Sequence, residues 1–219
     1  KTRKFLDKSV TALGNHIRAL MYEYGITSPQ GKKGLRETVA LVMDEEDQRL
    51  LANLQAILTL LWERYKTTLE QLKASEKVRN DLVKQIEPCS RLLDLESVGP
   101  VGASMLYASL GDGKSFNKGR DASVYVGTTP KQHSSGGKVY MRGINKGGGD
   151  KALRAVLYQG AFSVIYKLPE EPRTKKQAWL IQLVARVGVK RAAIALANKT
   201  VRTAWALLVS GEKYKVELI

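Results

Sequence analysis

Two adjacent hydroxyls among fixed positive charges are the first chemistry this chain offers. They lie in Thr128-Thr129-Pro130-Lys131-Gln132-His133-Ser134-Ser135-Gly136-Gly137-Lys138, and the glycine run Gly147-Gly148-Gly149 follows soon after. A glycine-flanked loop of this kind can hold a phosphodiester and attack it. A serine hydroxyl is a weak nucleophile until a base or a metal removes its proton. The pentacoordinate transition state also gathers negative charge that cations or oriented amides must meet. Nine basic residues lie between Gly113 and Arg154 (Lys114, Lys118, Arg120, Lys131, Lys138, Arg142, Lys146, Lys151, Arg154), against two acids, Asp121 and Asp150. His133 stands two residues from Ser135. The electrostatic half of a phosphoryl-transfer site is therefore present, and a metal-binding half is not. There is no HExxH, no DxD and no inward-facing carboxylate pair in this half of the chain. From chemistry alone the same letters read first as a polar turn. Lys146-Gly147-Gly148-Gly149-Asp150 lacks the Lys-Ser/Thr pair of a Walker A loop, which argues against nucleotide binding.

The elements that must position this stretch are mainly helical. Phe5, Leu6, Val10, Leu13, Ile17, Leu20, Met21 and Tyr24 recur at helical spacing over residues 3–24, with Gly25 as the C-cap. Residues 28–34 read as a loop. From Asp44 to Glu87 there is neither Gly nor Pro. Positions 51, 54, 58, 61, 65, 68, 72, 75, 79, 82 and 86 follow the three/four step of a coiled coil, lapsing at Thr68, Ser75 and Arg79. Such a helix would run on the order of 65 Å and must fold back on residues 3–24 or pair with another subunit. After Pro88, Leu92–Leu106 has a helix-hairpin-helix pattern with a turn at Gly99-x-x-Gly102, which can accept a phosphate at a helix N-terminus or serve only as a tight turn. Ala122–Val126 and Val139–Met141 suggest a small two-stranded element. Asp150 is the expected N-cap of a helix reaching Tyr166, and residues 174–209 form one or two more helices with a possible break at Gly188. The fold class is mainly α: long coiled-coil helices over residues 1–90, then a compact helical domain over 91–219 with a hairpin-like turn and a small β element.

Composition narrows the function. The chain has 219 residues and a formal net charge of +15, and its one cysteine, Cys89, rules out a disulfide framework. No apolar run reaches the roughly 18 residues of a membrane span, and no signal-peptide core is present. A reduced, intracellular protein is expected. Residues 1–112 carry 16 Lys/Arg and 15 Asp/Glu, whereas residues 113–219 carry 20 and 6. A half this one-sided points to a polyanion held by its phosphates.

An ordered series of motifs adds a resemblance. Leu95-x-x-Val98-Gly99-Pro100-Val101-Gly102-Ala103, Leu110-Gly111-Asp112 with Phe116, and Tyr125-Val126-Gly127-Thr128-Thr129-Pro130 come first. Ser134-Ser135-Gly136-Gly137-Lys138, Gly143-Ile144-Asn145-Lys146 and Leu153-Arg154-x-x-Leu157 follow. Over residues 92–215 the series resembles the C-terminal domain of bacterial insertion-sequence transposases related to the Piv DNA invertase. The helices before it resemble that family's coiled-coil linker. The resemblance implies a transposase or site-specific recombinase in which a serine attacks DNA and forms a phosphoserine intermediate. Ser135 is the nucleophile by motif position, with Ser134 the alternate. Lys131, His133, Lys138, Arg142, Lys146 and Arg154, with the Gly99–Gly102 hairpin, would contact DNA. The family pairs this domain with an N-terminal RuvC-like domain carrying a DEDD set of metal ligands. The chain starts at the linker, so no metal site or cofactor is expected within it; Mg²⁺ would enter through the missing domain, and the fragment alone would be inactive. DNA, a guide (bridge) RNA in some members, and a dimer or tetramer through the long helix are the implied partners, in the bacterial cytoplasm at the nucleoid, with no membrane. The glycine run before Leu153-Arg154 is one residue longer than the family's pattern. A non-enzymatic basic DNA- or RNA-binding module is the alternative, and a coiled-coil scaffold leaves the basic half unexplained.

Overall fold

The computed structural model describes residues 2–44, 52–144 and 147–219, and it is mainly helical with one small β element. The chain divides into two compact units, Lys1–Asn80 and Asp81–Ile219.

The first unit is built from α1 (Thr2–Glu23), α2 (Gly31–Val42) and α3 (Ala52–Gln85), whose residues up to Asn80 belong to it. α1 ends as its sequence indicates. Gly25 takes φ +75°, its amide donates to Tyr22 O, and the Ile26 amide reaches back to Met21 O. That is the Schellman closure, with Ile26 and Met21 both buried in the same cluster. The segment read as a loop over 28–34 is a loop only to Gln30. From Gly31 the chain is helical, because Leu35, Val39 and Val42 recur at helical steps and bury against α1. Arg18 Nη2 donates to Gly31 O at 2.6 Å, tying α1 to the start of α2. Gly14 lets the helices approach: a Cβ there would press on Leu35 and Tyr65.

The long helix folds back. Leu58, Tyr65 and Leu72 of the heptad stripe are buried with Val10, Ile17, Met21, Leu35 and Val39, so α1 and α2 cover that stripe. After Leu72 the register shifts. Leu82 and Ile86 of the expected stripe are exposed, and Val83 is buried instead, in the second unit's core. The eleven-residue step from 72 to 83 follows an undistorted helix more closely than a heptad does. Positions 45–51 of the expected helix lie outside the described residues.

In the second unit, α4 (Glu87–Arg91) carries Pro88 in its first turn, where the missing amide costs nothing. A 3-10 turn (Leu92–Asp94), α5 (Pro100–Leu110) and α6 (Gly119–Val126) follow. The expected strand at Ala122–Val126 is thus a helix. Gly119, Ala122, Ser123 and Val126 form one buried face against α9, and that three/four spacing outweighs the β-branched valines. The β element is instead β1 (Pro130–Ser135) paired antiparallel with β2 (Lys138–Ile144). α7 (Lys151–Tyr166) starts at Asp150, whose carboxylate accepts from the Ala152 and Leu153 amides at 2.8 and 3.1 Å. α8 (Lys175–Val187) and α9 (Val189–Ser210) part at Gly188, φ +80°.

α9 is the centre of this unit. Ala192, Ala193, Leu196, Ala197, Thr200, Val201, Ala204, Leu207 and Leu208 are buried on it, and α5, α6, α7 and α8 all contact it. Its alanines let several helices approach one axis closely. The buried polar pair Ser97 and Thr200 is satisfied by a 2.7 Å hydroxyl–hydroxyl bond. Gly160 of α7 sits where a Cβ would strike Ser97 O, so α7 rests directly on the 95–99 turn.

Two outcomes follow. Leu58→Ala is expected to cost about 2–5 kcal/mol in denaturant unfolding of the first unit, whereas Leu60→Ala on the exposed side of α3 changes stability by less than about 0.5 kcal/mol. Cys89 is 1 % exposed, and burial raises its thiol above the ordinary range. It stays protonated at neutral pH and is expected to ignore an aromatic disulfide reagent in the native chain, titrating as one thiol only after unfolding.

Candidate functional site

Ser134 and Ser135 do not lie on a free loop. They end a strand, and Gly136 and Gly137 make the two-residue turn that starts the next. Both glycines have positive φ, +56° and +73°, the requirement of a type I′ hairpin turn, which matches the twist of the flanking strands. The register pairs Ser135 with Lys138, Ser134 with Val139, His133 with Tyr140 and Gln132 with Met141. Opposed residues share a face and neighbours alternate. Ser135 and Lys138 therefore emerge together on one side of the tip, and Ser134 emerges with Val139 on the other. Gln132 Nε2 donates to Ser134 Oγ at 3.0 Å, which occupies the alternate serine within its own face.

Among the described residues the arm has no buried side chain. Lys131, Gln132, Ser134, Ser135, Lys138, Val139 and Tyr140 are all exposed. An isolated two-stranded hairpin is marginal in water, so its order has to come from its root. There, Gly127 (φ +80°) ends α6, and Thr128 is buried, its amide and hydroxyl both donating to Ser123 O. Asn198 Nδ2 of α9 donates to Thr128 O at 3.3 Å. On the return side, Gly149 (φ +71°) lies so close to Val126 that a Cβ would collide with the Val126 carbonyl and the Gly127 amide. Arg154 of α7 donates from Nη1 to Gly148 O. The glycine run is therefore a closure of backbone upon backbone, and Arg154 holds it shut. A one-residue irregularity between Pro130 and Gln132, where Arg142-Gly143 oppose Lys131, bends the arm above this root.

The expected site residues are spread rather than clustered. Pro130 to Ser135 spans ~17 Å of strand, so Arg154 and Lys131 stand well below the tip. Among the described side chains of the expected cations, Lys138 is the one paired across from Ser135. Only the backbone positions of His133 and Arg142 are described, and Lys146 lies outside the described residues. Of the two hairpin-turn glycines, Gly99 is exposed and precedes α5 in extended conformation. Gly102 is buried inside the first turn of α5, where a Cβ would meet Val98 and Val156. The expected Gly-x-x-Gly turn is thus one boundary glycine and one packing glycine. Among the described residues, no three His, Cys, Asp or Glu side chains come together to hold an ion, so they do not fit a magnesium site. Among the described residues no helix is long and apolar enough to cross a membrane.

A second basic surface was not expected from the sequence. Lys118 and Arg120 at the start of α6 face Lys199 and Arg202 of α9 across an open groove of about 1010 Å³. The signal was the Lys199/Arg202 pair, one turn apart on a helix otherwise rich in small apolar residues.

Residues 89–177 match the family described as Transposase IS116/IS110/IS902. Nearly all of the chain is similar to part of several transposases. It is 36% identical over 215 residues to the transposase for insertion sequence element IS1111A of Coxiella burnetii, covering 98% of this chain and 58% of that protein. It is 35% identical to a putative transposase of Sinorhizobium fredii, over 97% and 54% of the two lengths. A probable family 20 transposase of Pseudomonas aeruginosa is 34% identical over 95% and 61%. The chain thus spans between 54% and 61% of the length of these relatives.

The root makes a sharp prediction. Gly149→Ala is expected to open the closure and destabilise the second unit by more than about 2 kcal/mol, with faster amide exchange throughout residues 130–144. Gly136→Ala, with nothing near its Cβ, should cost only about 1–2 kcal/mol and confine its effect to the tip.

Proposed function

We propose that this chain, whose residues 89–177 match the IS116/IS110/IS902 transposase family, belongs to a DNA transposase and delivers Ser135 to a DNA phosphodiester on its β-hairpin arm. The register carries this reading: Ser135 and Lys138 are opposed across a two-residue turn at the tip of an arm whose described side chains are exposed there. The similarity to transposases over nearly the full chain supports DNA as the substrate.

In the proposed step the Ser135 hydroxyl loses its proton and Oγ attacks phosphorus. The Oγ–P bond forms as a P–O bond to one deoxyribose breaks, and the leaving sugar oxygen is protonated. The phosphoserine ester keeps the phosphodiester's energy for attack by a second sugar hydroxyl, which regenerates Ser135. Lys138 meets the charge that grows on the phosphoryl oxygens. Lys131, Arg142 and Lys146 are the further cations proposed to meet neighbouring phosphates. Arg154 serves as a positioning residue, since its guanidinium is engaged at the root ~17 Å from the tip. Removal of the Ser135 proton is the other half of this chemistry. A carboxylate-bearing metal domain in the rest of a relative-length protein is the proposed source of that chemistry.

Ser134 competes for the nucleophile's role only if the arm presents its other face, with Val139. Self-association through α3 would use its exposed Ile57, Leu60, Val78 and Leu82, because Leu58, Tyr65 and Leu72 are already covered. A guide RNA is compatible with the same basic arm, which contacts backbone in either nucleic acid.

The test is a covalent trap in a transposition reaction with element-end DNA, run with a protein of the relatives' full length that carries this sequence. A denaturant-resistant protein–DNA adduct should map to Ser135, disappear in Ser135→Ala and persist in Ser134→Ala. An adduct that survives Ser135→Ala overturns the assignment. Salt-sensitive binding with no adduct in an assembled complex favours a binding module instead.

A further inference from the structure

The groove between α6 and α9 is a concave surface built to a consistent chemistry. Its cationic rim is Lys118, Arg120, Lys199 and Arg202, and no carboxylate lines it. Among the described residues, no ion pair engages any of the four. Like charges gathered without counter-charge cost solvation and mutual repulsion, so a surface that keeps them is poised for an anion. The Lys199 ammonium lies 4.7 Å from the centre of the Trp179 ring, a cation–π contact that fixes it at the groove wall.

The groove is also held rigid. Gly119 at the start of α6 is pressed against Trp205 and the Arg202 backbone, with room for no Cβ without displacement. Trp205 Nε1 is committed to Gly113 O at 3.0 Å. No side chain caps the start of α6, and Gly119 and Arg120 at that start line the groove. Asn198 lines the same groove and donates to Thr128 O at the hairpin's root. The groove and the root of the arm therefore share one anchor on α9.

We infer that this groove binds the phosphodiester backbone of nucleic acid, as a second contact beside the hairpin arm. Lys118, Arg120 and Arg202 contact phosphate oxygens, and Lys199 is held in place by Trp179. The inference rests on reading the chain as nucleic-acid-acting, but it concerns residues outside the serine arm. Backbone recognition of this kind takes DNA or RNA without reading sequence.

The 219-residue chain, a Lys118→Gln/Arg202→Gln variant and a Lys131→Gln/Lys138→Gln variant should be titrated against labelled duplex DNA, single-stranded DNA and single-stranded RNA at several salt concentrations. Both altered pairs are exposed, and thermal unfolding confirms that the variants remain folded. The groove variant is expected to bind its preferred nucleic acid roughly tenfold or more weakly. Its log K against log salt slope should fall in magnitude by about 1.4–1.8, for two phosphate contacts. The arm variant should lose a comparable amount separately. Whichever of the three probes shows the larger groove-dependent loss identifies the backbone taken. A groove variant that matches the parent in affinity and slope, while the arm variant weakens, overturns the groove and leaves the arm reading intact. No binding of any probe by the parent overturns both.

Discussion

The contact on which the second unit's functional geometry depends is a close approach of two backbone segments. Gly149 lies against the Val126 carbonyl and the Gly127 amide at a distance that admits no side chain, and Arg154 closes the junction through Gly148 O. The hairpin leaves and returns through that point. Among the described residues its strands bury no side chain, and a two-stranded hairpin is marginal by itself. Order passes outward from a root made of glycine geometry, a buried threonine and one asparagine on α9. This is why an exposed hairpin can hold a defined register.

Much of the helical scaffold is legible in the sequence because periodicity and caps agree there. The α1 stripe ends on Gly25, Asp150 caps α7, and Gly188 divides α8 from α9, each at the residue whose chemistry demands it. Failures occur where tertiary contact overrides a local signal. Turn formers at Ser28–Gly34 hide a helix start whose buried face begins only at Gly34 and Leu35. Valines at 124 and 126 suggest a strand, yet the Gly119–Ala122–Ser123–Val126 face against α9 makes that segment helical. The heptad run is real through Leu72 and then gives way, since Val83 belongs to a different core.

The candidate site divides in the same manner. Ser134-Ser135-Gly136-Gly137 was visible as a turn with hydroxyls, and two adjacent glycines in positive φ were enough to make it a hairpin tip. What the letters do not show is that alternation sends the two serines to opposite faces, which follows only from the pairing register. Nor do they reveal that the cations around Ser135 are strung along an arm, with Arg154 at its root. The described cations of the basic half are accordingly distributed over an arm and a groove on α6 and α9, tied together at Asn198.

The most direct measurement of where the chemistry occurs is a structure of a relative-length protein carrying this chain, bound to element-end DNA before cleavage. A scissile phosphorus within about 3.5 Å of Ser135 Oγ, with Lys138 on the same side and Ser134 facing away, is the expected arrangement. DNA that passes the hairpin by, leaving its tip in solvent with the scissile phosphate elsewhere, would contradict it.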